Sequence, residues 1–163
     1  MKELLNFYNV RIADIDEDLY GLGELETRKF CENNNQQFDF RVLNFYMKAL
    51  QGVSRNRYSS MIVCKSTFDD YDSSSQYLGF LHGNINYGNS REPQFMLNGM
   101  YVLPDFRDIG IGRSLIVGLE ESLLDSDAKR IFSCLDRDSD GFLMRCGFSM
   151  GGKGADVFKR LNK

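Results

Sequence analysis

The sequence predicts a mixed α/β layer, neither a doubly wound sheet nor a regular barrel, and three observations carry that expectation. Alternating apolar stretches interleave with stretches at helical spacing in the order β-α-α-β-β-β-α-β-α-β, so three strands follow one another before the third helix. No internal repeat or interdomain linker divides the chain, and its 163 residues have the length of one domain, 1–163. A domain of that size buries roughly 70% of its unfolded surface. Apolar residues make up 42% and charged residues 26%, the balance of a folded globular chain.

Each element has its own signal. "YNVRIADI", Tyr8 to Ile15, alternates Val10 and Ile12 and reads as a first strand. Asp16 is the expected N-cap of a helix over 16–30, with Leu19, Leu22, Leu25 and Phe30 at helical spacing. Gly21 and Gly23 weaken it by about 1 kcal/mol each relative to alanine. A second helix is expected over 38–51, with Phe38, Val42, Phe45, Tyr46, Ala49 and Leu50 as its apolar stripe and Met47 also in the core. "SSMIVCKS" (59–66) and "QYLGFLHGNINY" (76–87) predict a long hairpin around an acidic tip, Asp69 to Asp72. That tip reads as solvated surface.

The fourth strand runs from Phe95 to Leu103 and is stopped by Pro104. Gly99 in its middle marks a bulge or a close approach by another group. Leu115, Leu119 and Leu123, with Ile116, predict a third helix from Ile111 to about Leu124. "KRIFSCL" (129–135) is a fifth strand, a short helix falls within 138–146, and "GFSMGGKGADVFKRL" supplies one or two closing strands.

Charge and cysteine usage narrow the partners. The net charge is −3 and the sequence pI about 5.2. That removes the electrostatic footprint of nucleic-acid binding, and "VSRNRY" (53–58) is too sparse to restore it. A cationic small partner is mildly favoured. No run approaches the ~20 apolar residues of a membrane span. The N-terminus lacks a long apolar segment and a cleavage site, so a cytoplasmic location without membrane attachment is expected. Cys31, Cys64, Cys134 and Cys146 are scattered without metal-ligand spacing beside one histidine, which predicts reduced thiols and no metal.

The chemistry concentrates in "RDIGIGRSL", Arg107 to Leu115, where the fourth strand hands over to the third helix. A helix N-terminus offers unpaired N–H groups and a partial positive charge, so phosphate is its natural ligand. A Walker loop fails, because Gly112 is followed by Arg113-Ser114 and the first glycine is missing. A dinucleotide fingerprint fails too: the third glycine is absent and the strand is the fourth, not the first. The glycines alone leave open a helix that merely begins with two of them.

The surrounding residues go further. "MYVLPDFRDIGIGRSLI" resembles the cofactor motif of the GCN5-related N-acetyltransferases, the GNAT family, with Val102, Pro104, Arg107, Gly110, Gly112 and Leu115 each matching. "FLMRCGF", Phe142 to Phe148, looks like that family's final helix and its Gly-Phe ending. The motif resemblance covers Met100 to Phe148. It implies an α/β (α+β) fold: a mostly antiparallel sheet of six to seven strands flanked by about four helices, splayed between strands 4 and 5. It also implies acetyl-CoA, or another acyl-CoA, as donor. The diphosphate would rest on the amides of Asp108, Ile109, Gly110, Ile111, Gly112 and Arg113, with Arg107 opening the loop. The pantetheine arm would run beside Met100, Tyr101 and Val102. Asp136 aligns with a frequent asparagine that contacts that arm.

The implied reaction is direct attack of a primary amine on the thioester in a ternary complex. The N–H of Met100 or Tyr101 would donate to the developing oxyanion, worth about 2.7–4 kcal/mol. Two side chains the family often uses are missing: Leu143 stands where an acid tyrosine is usual, and Met96 near the place of a base. His82 is the candidate base, since an unperturbed pKa near 6.5 suits proton acceptance. Ser139 is the candidate acid, and Glu92 and Tyr87 are weaker acceptor-site candidates. Cys134 and Cys146 read as core or lining thiols. The expected acceptor is an amine on a small molecule or protein; dimers are common in the family, so the resemblance allows a homodimer without fixing the oligomeric state. The alternative is a catalytically weak or inactive CoA-binding regulatory module.

Overall fold

Seven strands make one sheet in the computed structural model, which describes residues 8–54, 59–67, 77–88, 92–151 and 157–161. The strands are β1 (Tyr8–Ile12), β2 (Ser59–Ser66), β3 (Tyr77–Asn86), β4 (Gln94–Val102), β5 (Arg130–Ser133), β6 (Ser149–Met150) and β7 (Val157–Arg160). Their order is β1-β2-β3-β4-β5-β7-β6, and every neighbouring pair is antiparallel except β4 and β5, which run parallel. The helices are α1 (Ile15–Asn33), α2 (Phe40–Ser54), α3 (Ile111–Ser122) and α4 (Asp140–Arg145). The element order and the mixed, mostly antiparallel sheet with about four helices agree with the sequence reading.

Each face of the sheet has its own core. Leu22 and Leu25 of α1 and Leu50 of α2 pack with Met61, Val63, Phe80 and Tyr101 on one face. Ile111, Leu115, Ile116 and Leu119 of α3, with Leu143 and Phe148, pack on the other against Ile62, Cys64, Leu81, Phe95 and Leu97.

Several local expectations need correction. The N-cap of α1 is Asp14, whose Oδ1 accepts the N–H of Asp16 at 3.0 Å, so Asp16 lies in the first turn. Gly21 and Gly23 are packing sites: a Cβ on Gly21 would lie 2.2 Å from the Tyr77 ring, and one on Gly23 2.7 Å from Met47. The buried stripe of α2 is Leu43 and Leu50, one i/i+7 row, while Phe38 and Phe45 are 40% and 65% exposed. Ile12 is also exposed, because β1 is the sheet edge and α3 crosses it at Val10, next to Gly118.

The centre of β4 departs from strict alternation. His82 of β3 pairs with Gly99, but Gly83 pairs with Leu97, so Asn98 is an extra residue, a β-bulge. The bulge falls beside the glycine that predicted it. It switches side-chain parity, so that Phe95 and Leu97 before it and Met100 and Val102 after it all face the α3 side.

Candidate active site

The bulge coincides with the place where β4 and β5 part. Their pairing ends at Leu97 and Ser133, and the last bond between these chain segments runs from the Cys134 N–H to the Leu97 carbonyl at 2.9 Å. Beyond that point β4 continues for five residues with β3 on one side only. The Leu103 N–H donates to the Leu78 carbonyl at 2.9 Å, which marks a hydrogen-bonded pair. Alternation makes Tyr101 and Phe80, two residues back, another such pair. Met100 and Val102 therefore turn their main-chain groups away from β3, into the gap left by β5. The carbonyl of Val102 is found there by the Arg107 Nε, at 3.0 Å.

At the head of this gap α3 begins without a side-chain cap. Its N-cap is Gly110, in the left-handed region at φ 99°, and Asp108 is left-handed too at φ 62°. The first intrahelical bond runs from the Ser114 N–H to the Gly110 carbonyl at 3.0 Å, so the N–H groups of Ile111, Gly112 and Arg113 have no acceptor within the helix. The two glycines have different tasks. Gly110 supplies the backbone conformation in open space, whereas a Cβ on Gly112 would meet Phe142 at 3.0 Å and Met100 at 3.2 Å. Gly112 thus lets β4, α3 and α4 close together beside the gap. This cradle of free amides and outward-turned strand groups fits a long phosphorylated thioester such as acetyl-CoA: anion at the helix end, amide-bearing arm along the strand.

The other expected donor residues are spread around it. Arg107 is engaged, its Nη2 donating to Glu32 Oε2 at 2.9 Å and its guanidinium 5.5 Å from the Tyr101 ring centre. The Tyr101 hydroxyl donates to the same Glu32 oxygen at 2.9 Å, and burial, then that bond, pushes its phenol up to about 12. Ile109 and Asp108 are exposed on the loop, and Asp136 is exposed just after β5. Ser139 is half-buried immediately before α4, one turn from Leu143, which is fully buried. Cys134 is exposed rather than core, and partial burial still raises its thiol. Cys146 is buried and also raised, by burial first, against the pull of Lys159, Arg113 and Arg145. Neither is an activated nucleophile.

His82 lies on the opposite face, toward α1 and α2. It pairs across with Gly99, and a Cβ there would sit 2.3 Å from its Nε2, so the missing side chain makes room for the imidazole. Its ring stacks on Phe80 at 5.8 Å with a 9° interplanar angle. Nε2 meets Glu26 Oε1 of α1 at 2.8 Å. Asn98 and Asn84 join side chains at 2.7 Å a step along. Tyr87 and Glu92 are both exposed near the β3–β4 connection. The acidic tip Asp69–Asp72 and the 55–58 portion of "VSRNRY" lie outside the described residues.

Glu26 and Glu32 are the residues that sequence reading missed. Glu26 had a signal: it falls four residues after Leu22, a carboxylate inside an apolar stripe. Glu32 had none, since its role depends on where Arg107 and Tyr101 meet α1. Among the described residues no group of His, Cys, Asp and Glu side chains forms a metal site, and no helix is long and apolar enough to cross a membrane.

A parted β4/β5 pair with an uncapped helix at its mouth makes a strand-edge cleft with an anion-binding end. Sequence comparison then names the family: residues 20–148 match the acetyltransferase (GNAT) family model, so the chain belongs to the GNAT family. No curated protein sequence matches it. Solved structures share the fold at low identity. An aminoglycoside N-acetyltransferase in complex with CoA superposes with TM-score 0.67 at 15% identity, covering 87% of this chain and 88% of that one. Glucosamine-6-phosphate N-acetyltransferase from Arabidopsis thaliana gives TM-score 0.64 at 12% identity, covering 89% and 93%. An aminoglycoside acetyltransferase from an uncultured soil metagenomic sample, in complex with sisomicin, gives 0.63 at 16%, covering 87% and 86%.

Proposed function

We propose that this protein is an acetyl-CoA-dependent N-acetyltransferase that acts on a primary amine by direct attack. The observation that carries the reading is the parting of β4 from β5 at the Asn98 bulge, with the uncapped start of α3 at its mouth. The amides of Asp108 to Arg113 would hold the diphosphate, and the main chain of Met100 and Val102 the pantetheine arm. Tyr101 belongs to the site through its side chain, because its own main chain is paired with β3. Asp136 lines the β5 side. Acetyl-CoA supplies an acetyl group activated as a thioester.

The residues of this chain do the rest. The Met100 N–H donates to the oxygen that gains negative charge. His82, across the bulge, takes a proton from the acceptor. Ser139, ahead of α4, is placed to return one to the leaving sulfur. An ammonium near its ordinary pKa of about 10.4 must lose a proton before it can attack, so the base matters most. GNAT relatives of this fold include enzymes that act on aminoglycosides and on glucosamine-6-phosphate, which supports a small cationic or amino-sugar acceptor. An acidic chain suits such a molecule. The protein is read as cytoplasmic and without nucleic-acid partners.

One observation favours a second reading, cofactor binding without turnover: Leu143 fills the place of the usual acid tyrosine and is fully buried. Thiol release from acetyl-CoA across a panel of amines separates the two, with mass spectrometry of the products. Acetylated amine at several times background establishes transfer; binding with no release for any amine establishes the module. Gly112→Leu, which drives a side chain into Phe142 and Met100, should abolish CoA binding by calorimetry under either reading. Unchanged binding would overturn the placement of the diphosphate.

A further inference from the structure

We propose that Glu26 and His82 work as one carboxylate–imidazole pair, His82 being the catalytic base and Glu26 the positioning residue that fixes its tautomer. This rests on the acetyl-transfer reading given above. Glu26 is only 7% exposed, and its Oε1 lies 2.8 Å from His82 Nε2. With Glu26 ionised, Nε2–H donates to it and Nδ1 carries the lone pair. Nδ1 has no hydrogen-bond partner among the described residues. The Nε2 edge of the His82 ring overlies Gly99, the residue before the Met100 amide, so the imidazole and the oxyanion donor adjoin one bulge.

Burial of a carboxylate is costly unless a counter-charge forms beside it, and an imidazolium at Nε2 is such a charge. The other charged and titratable groups facing the pair are few. From α1, Lys29 Nζ is 3.9 Å from Glu26 Oε2 and 5.9 Å from the Phe80 ring centre. From α2, Tyr46 has its phenol pushed up by burial and then by the Glu26 charge. From β4 comes Tyr101, engaged with Glu32. None of these is placed to replace the carboxylate on the ring.

The step balances simply. The acceptor ammonium gives one proton to Nδ1, and its freed lone pair forms the C–N bond as the C–S bond breaks. The nitrogen's surplus proton leaves with the thiolate, giving an amide and a free thiol. Later loss of the proton from Nδ1 to water restores the pair.

The chain has one histidine, so an imidazole ¹⁵N spectrum reports His82 alone. In the free wild-type protein the neutral ring is expected as the Nε2–H tautomer, and Glu26→Leu should release it to a mixture. A ring protonated at Nδ1, or one indifferent to Glu26→Leu, overturns the pairing without any assay of turnover. In kinetics, His82→Asn should lower kcat about 100-fold at neutral pH, within the range of general-base catalysis, with KM for acetyl-CoA unchanged. Glu26→Gln should lower kcat by about 10-fold or more and displace the acidic limb of the pH profile. The double variant should be no worse than His82→Asn, as expected of residues acting as a unit. Either single variant keeping kcat within about three-fold of wild type defeats the catalytic role while acetyl transfer stands. A wild-type protein that acetylates no amine defeats both.

Discussion

Helix α1 buries two carboxylates two turns apart, and their surroundings are opposite. Asp18 is fully buried and saturated. Arg11 Nη1 donates to Oδ2 at 2.7 Å and Nη2 to Oδ1 at 2.8 Å, Tyr77 gives its hydroxyl at 2.8 Å, the Asp14 N–H donates at 2.8 Å, and Lys65 stands 3.6 Å off. Burial raises the Asp18 carboxyl, but the bonds from Arg11, Tyr77 and Asp14 outweigh it and hold the group below the ordinary carboxylate range. Glu26 has one close partner, a titratable imidazole, and a distant Lys29. A carboxylate with every lone pair taken fixes the helix to the sheet. One whose only close partner is an imidazole can orient that ring. The same helix is therefore anchored to the sheet at its start and holds an imidazole along its middle.

The largest way to sharpen that contrast is Arg11→Met. It strips the bidentate partner from a buried charge and should cost about 3–5 kcal/mol in chemical denaturation. The kcat of the folded fraction should stay near wild type, and a collapse of kcat in step with stability would erase the distinction. Acid comes next. Because the folded Asp18 carboxyl is depressed, its contribution is complete above the ordinary carboxylate pKa of about 4 and is lost as pH falls through the lower folded value. The gap in melting temperature between wild type and Asp18→Asn should thus be widest near neutrality and close below that range. The smallest stability effect belongs to Gly99→Ala. Its methyl would push the His82 ring, 2.3 Å away, off Glu26, so stability should fall by about 1–2 kcal/mol while kcat falls about 10-fold or more. Unaltered turnover would detach His82 from the reaction.

Much of this was legible beforehand. Pro104, Arg107, Gly110 and Gly112 mark the strand-to-helix handover, and Gly99 marks the bulge, because each needs a backbone shape or closeness that few residues allow. Phe38 and Phe45 misled, since hydrophobicity does not say which side of a short helix meets the sheet; Leu43 and Leu50 do. The depth of Gly21 depends on a tyrosine 56 positions away, and no local pattern encodes it. Glu26 carries only half a signal: a carboxylate in an apolar row announces a partner, but the fold alone shows that His82 is the closer one, with Lys29 farther off.

Asn98 has a consequence for how this strand tolerates change. Removing that single residue would act on β4 as a dropped letter acts on a reading frame: Met100 and Val102 would exchange inside for outside with Tyr101. Substitutions along the strand adjust one contact at a time, whereas this deletion would invert its whole second half, turning Met100 and Val102 toward α1 and Tyr101 toward α3.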